Sequence, residues 1–155
     1  MKQTIILIIG ALLLSVNAFS QSADQDAIKK VCLAETQAYH DFNYDSWASF
    51  HVQSPEEQLA WNNPDGTYGS EVGWDNISKG MKDYFKTAQK ESLKMSNEKF
   101  TYVIRGEMAF AAFKRSTQNP DGKITQIQEY RTLLKLNGAW KILAVQAFVN
   151  YPPEK

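Results

Sequence analysis

The chain has 155 residues, of which 43% are hydrophobic and 22% charged, with 17 basic against 17 acidic side chains. That is a globular composition with room for one domain, and its zero formal charge excludes the strong basic field that would make nucleic acid or an anionic membrane the main partner. A single cysteine cannot close an internal disulfide and excludes cysteine-rich zinc and iron–sulfur sites.

In chain order, Lys2 supplies a positive start, Ile5 to Leu14 is an unbroken run of apolar or small residues, and Ala18-Phe19-Ser20 sets small residues before Gln21. These features read as a secretory signal peptide over residues 1–20. The run is far too short for the roughly 30 Å hydrocarbon core, so cleavage is expected rather than anchoring. Residues 21–155 should then be a single exported domain, periplasmic or secreted, with no membrane contact after cleavage.

From Asp24 to Phe42 the residues Ile28, Val31, Cys32, Ala38, Tyr39 and Phe42 share one side of a helix when each position advances by about 100°. Trp47, Phe50 and His51 share a face of a short second helix, with Asp45 as its expected cap. Leu59-Ala60-Trp61 reads as a short strand closed by the turn formers Asn62 to Gly66. A third helix, entered near Gly73 to Asn76, carries Ile77, Met81, Tyr84, Phe85 and Ala88 at helical spacing. Then come strands at Phe100 to Ile104, Met108 to Phe113, Ile124 to Leu136 and Trp140 to Val149. Their joints are Arg105-Gly106-Glu107, the loop around Asn119 to Gly122, and Asn137-Gly138. Helices followed by successive antiparallel strands make an α+β domain with helices on one face of a bent sheet.

Asn137-Gly138 favours a two-residue type I′ turn. That turn sets Ile142 opposite Leu133, Ala144 opposite Arg131, Gln146 opposite Glu129 and Phe148 opposite Ile127. Because side chains alternate along a strand, Glu129, Arg131 and Gln146 would share the covered face with Trp140, Leu133 and Phe148. Leu134, Leu143, Val145, Ala147 and Val149 would lie outside as an apolar surface, from which a homodimer is expected. A turn one residue longer would reverse both faces.

The helix–Asp45–helix entry, the segment Gly73 to Phe85, and the closing hairpin Arg131-Thr132-Leu133-Leu134-Lys135-Leu136-Asn137-Gly138-Ala139-Trp140-Lys141-Ile142 resemble the nuclear-transport-factor-2-like (NTF2-like) superfamily. Within it they are most similar to SnoaL-like and DUF4440-type single-domain proteins, and the resemblance covers residues 21–155. It implies a cone: a strongly bent antiparallel sheet closed by about three N-terminal helices, with a pocket inside and frequent dimerisation through the outer sheet face. Members include isomerases, cyclases, dehydratases and proteins without a known reaction, so function does not follow from the fold.

Glu35 falls mid-stripe on the first helix. A carboxylate turned into an apolar interface must be paired, hydrogen-bonded or protonated. If that helix closes the cone, Arg131 is its counter-ion, Glu129 a competing acid, and His51 a further group looking into the same space. Glu35, Glu129, Arg131 and His51 are therefore the catalytic candidates, and Tyr39, Trp47, Trp61, Gln146 and Phe148 the ligand-facing ones. A carboxylate whose pKa is raised by desolvation would exchange protons near neutrality, as isomerisation or elimination beside a carbonyl requires. The plainer alternative is a structural ion pair that docks the helix on the sheet. His40 is expected to be solvated, and Cys32 buried and inert. Two histidines without His-Glu-x-x-His spacing give no zinc site, and no cofactor motif or phosphate loop is present. Lys82, Lys86, Lys90 and Lys94 would form a solvated stripe if the third helix ran that far. Two functions follow: a non-catalytic pocket for a small, partly apolar molecule, or a cofactor-free acid/base enzyme of the isomerase, dehydratase or cyclase kind.

Overall fold

A computed structural model describes residues 22–88, 94–118, 120 and 122–151. The expected signal segment, Lys90, and Asn119 and Asp121 of the expected loop lie outside these.

Helix α1 covers residues 22–40. Its stripe does what the spacing requires: Ile28 and Cys32 are fully buried against Ala109, Ala111, Phe113, Leu133, Trp140 and Ile142 of the sheet. Each such large aliphatic or aromatic side chain contributes roughly 1.5–3 kcal/mol. Phe42, in the left-handed region at φ 54, turns the chain out of the helix. Its ring packs against Phe85 and Tyr84, which offsets that conformation. Helix α2, Tyr44–Ser49, is capped by Asn43, whose side chain accepts from the Ser46 N–H. Asp45, expected as the cap, sits instead in the first turn, where a carboxylate suits the positive helix end.

Strands β1 (Gln58–Asn62) and β2 (Tyr68–Val72) form a hairpin, and helix α3 (Trp74–Thr87) follows. Four long strands complete the chain: β3 (Lys94–Arg105), β4 (Met108–Gln118), β5 (Ile124–Leu136) and β6 (Ala139–Val149). One six-stranded sheet results, in the order β2-β1-β6-β5-β4-β3. It is mixed rather than wholly antiparallel, because β1 runs parallel to β6 and fastens the first hairpin to the long meander. Since α3 ends at Thr87 and Lys94 belongs to β3, the proposed lysine stripe does not form along one helix.

Asn137 and Gly138 both take positive φ, 50° and 80°, as a type I′ turn requires. Pairing then follows expectation through Leu133 opposite Ile142. Beyond that, Leu143 is an extra residue in a β-bulge, and the register slips by one: Arg131 pairs Val145, Glu129 pairs Ala147 and Ile127 pairs Val149. The slip reverses the faces of the second half of β6. Val145, Ala147 and Val149 therefore turn inward, while Gln146 and Phe148 turn outward, opposite to the placement expected from an unbroken ladder.

Candidate functional site

Glu35 leaves α1 in the middle of its buried stripe and is 3% exposed. Arg131, on the inner face of β5, donates from Nη2 to Glu35 Oε2 at 3.1 Å and from Nη1 to Glu129 Oε2 at 2.7 Å. The Trp47 indole donates to Glu35 Oε1 at 2.9 Å, and His51 Nε2 stands 3.6 Å from that same oxygen. Behind His51, its Nδ1 meets Glu57 Oε1 at 2.5 Å, while Glu57 Oε2 accepts the Gln53 backbone N–H at 2.7 Å. On the far side, Arg115 of β4 donates from Nε to Glu129 Oε1 at 2.8 Å, and its Nη1 meets His40 Nε2 at 2.5 Å. Two backbone bonds, Val52 N–H to Ile142 O and Ile142 N–H to Phe50 O, tie the segment carrying His51 to β6.

The charges of this chain of contacts close on themselves. Three buried carboxylates (Glu35, Glu57, Glu129) face two guanidiniums (Arg115, Arg131), and His51, between Glu35 and Glu57, balances them when it is protonated. Burial works against a charged His51, but Glu35 and Glu57 on either side outweigh it and raise its pKa. Burial likewise works against an ionised Glu35, yet Arg131 and His51 hold it down to about 2. The raised carboxylate expected from desolvation is therefore not found, because the neighbouring cations dominate. His40 is half-buried rather than freely solvated: burial and the adjacent Arg115 push it down to about 4, so it is a neutral acceptor for that guanidinium. Cys32 is buried and pushed up to about 12 by desolvation, and it stays a thiol.

A cavity of about 490 Å³ lies between α1, α3 and the inner face of the sheet. Glu35, Glu129, Arg131 and Arg115 form its polar end. Tyr39, Trp47, Trp61, Tyr84, Met81 and the inward residues of β6 line the rest. Tyr39 stacks on Tyr84 with centroids 5.7 Å apart. Trp61, 37% exposed, lies over Gly69 of the neighbouring strand, where any Cβ would come within 2.4 Å of the indole. Of the expected site residues, Glu35, Glu129, Arg131, Tyr39, Trp47 and Trp61 meet at this cavity. His51 does not line it and stands behind Glu35 as second support. Gln146 and Phe148 are on the opposite face, removed by the bulge at Leu143.

Arg115 and Glu57 are the members of this network that the sequence reading passed over. Arg115 was within reach: the buried alternation Ala109, Ala111, Phe113 continues to Arg115 and Thr117. Glu57 follows Pro55-Glu56 in an irregular loop, and no periodicity marks it.

No protein-family model matches the chain, and no curated protein matches it by sequence. Solved structures do. A protein of unknown function with a cystatin-like fold from Nostoc punctiforme superposes with TM-score 0.68 at 12% identity, over 84% of this chain and 95% of that one. A proposed dehydratase of the NTF2-like family from Streptomyces avermitilis gives 0.66 at 10% identity, over 87% and 99%. The association domain of C. elegans CaMKII gives 0.66 at 20% identity, over 83% and 97%. Likeness at these identities carries the fold alone. The chain has the NTF2-like fold, as its closing hairpin led one to expect.

Proposed function

We propose that this protein binds a small, partly apolar molecule in the cone and catalyses no reaction on it. The observation that carries the reading is the cavity itself: apolar and aromatic walls around about 490 Å³, ending on a polar floor whose charges are already paired with one another. A general base must accept a proton near the working pH. Glu35, held down to about 2, is a poor one, and Glu129 is clamped between two guanidiniums. The acid/base alternative, for which Glu35, Glu129, Arg131 and His51 were the candidates, therefore has less support than binding. The basic start, short apolar run and small residues of the first twenty positions favour export to the periplasm or beyond. No described helix is long and apolar enough to cross a membrane.

Filling the cavity tests the reading. Ala147→Phe should weaken binding of the neutral dye Nile red by roughly tenfold or more, read by fluorescence, because a core-sized ring takes the ligand's volume. Equal affinity in a folded variant would place the dye elsewhere and remove the cavity from consideration.

The outer sheet face supports a homodimer, with a revised composition. Val145 and Val149 point inward, so the apolar surface is built by Leu134 with Val103, Met108, Phe110 and Phe148, the last four between 40% and 52% exposed. Phe110 stacks on Tyr130 at 5.8 Å, and Tyr130 meets Phe148 edge-on at 6.1 Å, a row of rings across three strands. One similar fold is an association domain. Phe110→Asp with Phe148→Asp should weaken self-association by roughly a hundredfold, since buried aromatic anchors dominate interfaces. A wild-type protein that sediments as a monomer at micromolar concentration would end the idea.

A further inference from the structure

We infer that the ligand is an organic cation, an ammonium group on an apolar body, and that Glu71 in the cavity wall is the residue selecting it. This rests on the binding reading above and specifies its ligand class. The carboxylates lining the cavity are Glu35, Glu129 and Glu71; the cations are Arg115 and Arg131. Glu35 and Glu129 consume both guanidiniums, while His51 and Glu57, in contact with each other, do not line the cavity. One negative charge is left over, and it belongs to Glu71.

Glu71 is placed for this by the pairing of β1 with β2. It stands opposite Leu59, two positions along from Gly69 opposite Trp61, so its side chain shares the inner face with the Trp61 indole. It is half-buried, and among the described residues no hydrogen bond or ion pair reaches its carboxylate. Gly80 in the middle of α3 stands beside it, with the Glu71 Oε1 3.5 Å from where a Cβ would be. Glycine in a helix interior costs roughly 1 kcal/mol relative to alanine, and here it leaves open the space in front of the acid.

A ligand that covers Glu71 without compensating it would leave a desolvated, unpaired charge, which is costly. A cation compensates it. The rings of Trp61, Tyr39 and Tyr84 line the same cavity, and an aromatic face within reach of a cation attracts it through the ring quadrupole. An anion finds little: Arg115 already spends Nε and Nη2 on Glu129 and Nη1 on His40. Arg131 spends both terminal nitrogens on carboxylates, and its buried Nε is the one guanidinium nitrogen here without a partner.

Three probes with the same body separate the possibilities by calorimetry at neutral pH: phenylpropylamine, phenylpropanol and phenylpropanoate. The amine should bind roughly tenfold more tightly than the alcohol, with the carboxylate weakest. Glu71→Gln should abolish the advantage of the amine over the alcohol, and Glu71→Lys should invert the order. Thermal unfolding confirms that each variant is folded. Binding of the carboxylate as tightly as the amine, or an amine preference that survives Glu71→Gln, overturns the inference while the binding reading stands. If none of the three binds, the binding reading falls and takes this inference with it.

Discussion

Replacing Arg131 by methionine should lower the free energy of unfolding by about 3–5 kcal/mol, because the stem is kept while two buried carboxylates lose their shared cation. Glu35 keeps the Trp47 indole and the nearby His51, and Glu129 keeps Arg115, but the central positive charge between them is gone. The opposite manipulation should cost much less. Glu35→Gln combined with Arg131→Met removes charge from both sides at once, so the double variant should be more stable than the sum of the two single losses implies. Urea denaturation of all four proteins measures this. A single-variant loss under about 1 kcal/mol would mean that these ions are hydrated in solution and that the helix docks by apolar packing alone.

Stability should peak near pH 6.5, where two opposed titrations meet. His51 has a pKa raised above its ordinary 6.5. Its contribution is fully present below 6.5 and is lost as pH rises through the raised value. Glu35 is held down to about 2 against an ordinary 4.5, so its contribution is present above 4.5 and lost as pH falls toward 2, on the order of 3 kcal/mol. His40 adds to the acid side: pushed down to about 4, it favours the folded state fully above 6.5 and progressively less below. His51→Asn should flatten the alkaline limb and shrink, without abolishing, the acid limb, because Glu35 loses one of the two cations that hold it down while Arg131 and His40 remain. Chemical denaturation across pH, with and without that substitution, reads both. An alkaline limb that persists unchanged in the variant would assign it to another group.

Much of this architecture was legible because its signals are local. The apolar stripe of α1, the Asn137-Gly138 turn and the bounds of β5 each follow from a period or a dipeptide. The face of Glu35 and Arg131 was legible too, since both lie on regular elements before any irregularity intervenes. What escaped was polar or irregular. Strand β2 carries Gly69, Ser70 and Glu71 and shows no apolar alternation, and the first half of β3 is equally polar, as suits strands at the two sheet edges. Leu143 escaped for a different reason. Leu143, Ala144 and Val145 are all apolar, so either register buries something acceptable, and no glycine marks the bulge. The protonation of Glu35 was misjudged because its second cation, His51, arrives from a loop whose path a helical wheel does not contain.

That supernumerary leucine makes the hollow's composition a matter of counting rather than chemistry. With the ladder in step, glutamine and phenylalanine would furnish the interior and three small aliphatic groups the exterior; with one residue added, the two panels trade places without a single side chain being altered. Insertions and deletions in this ribbon therefore redecorate the chamber more thoroughly than substitutions within it.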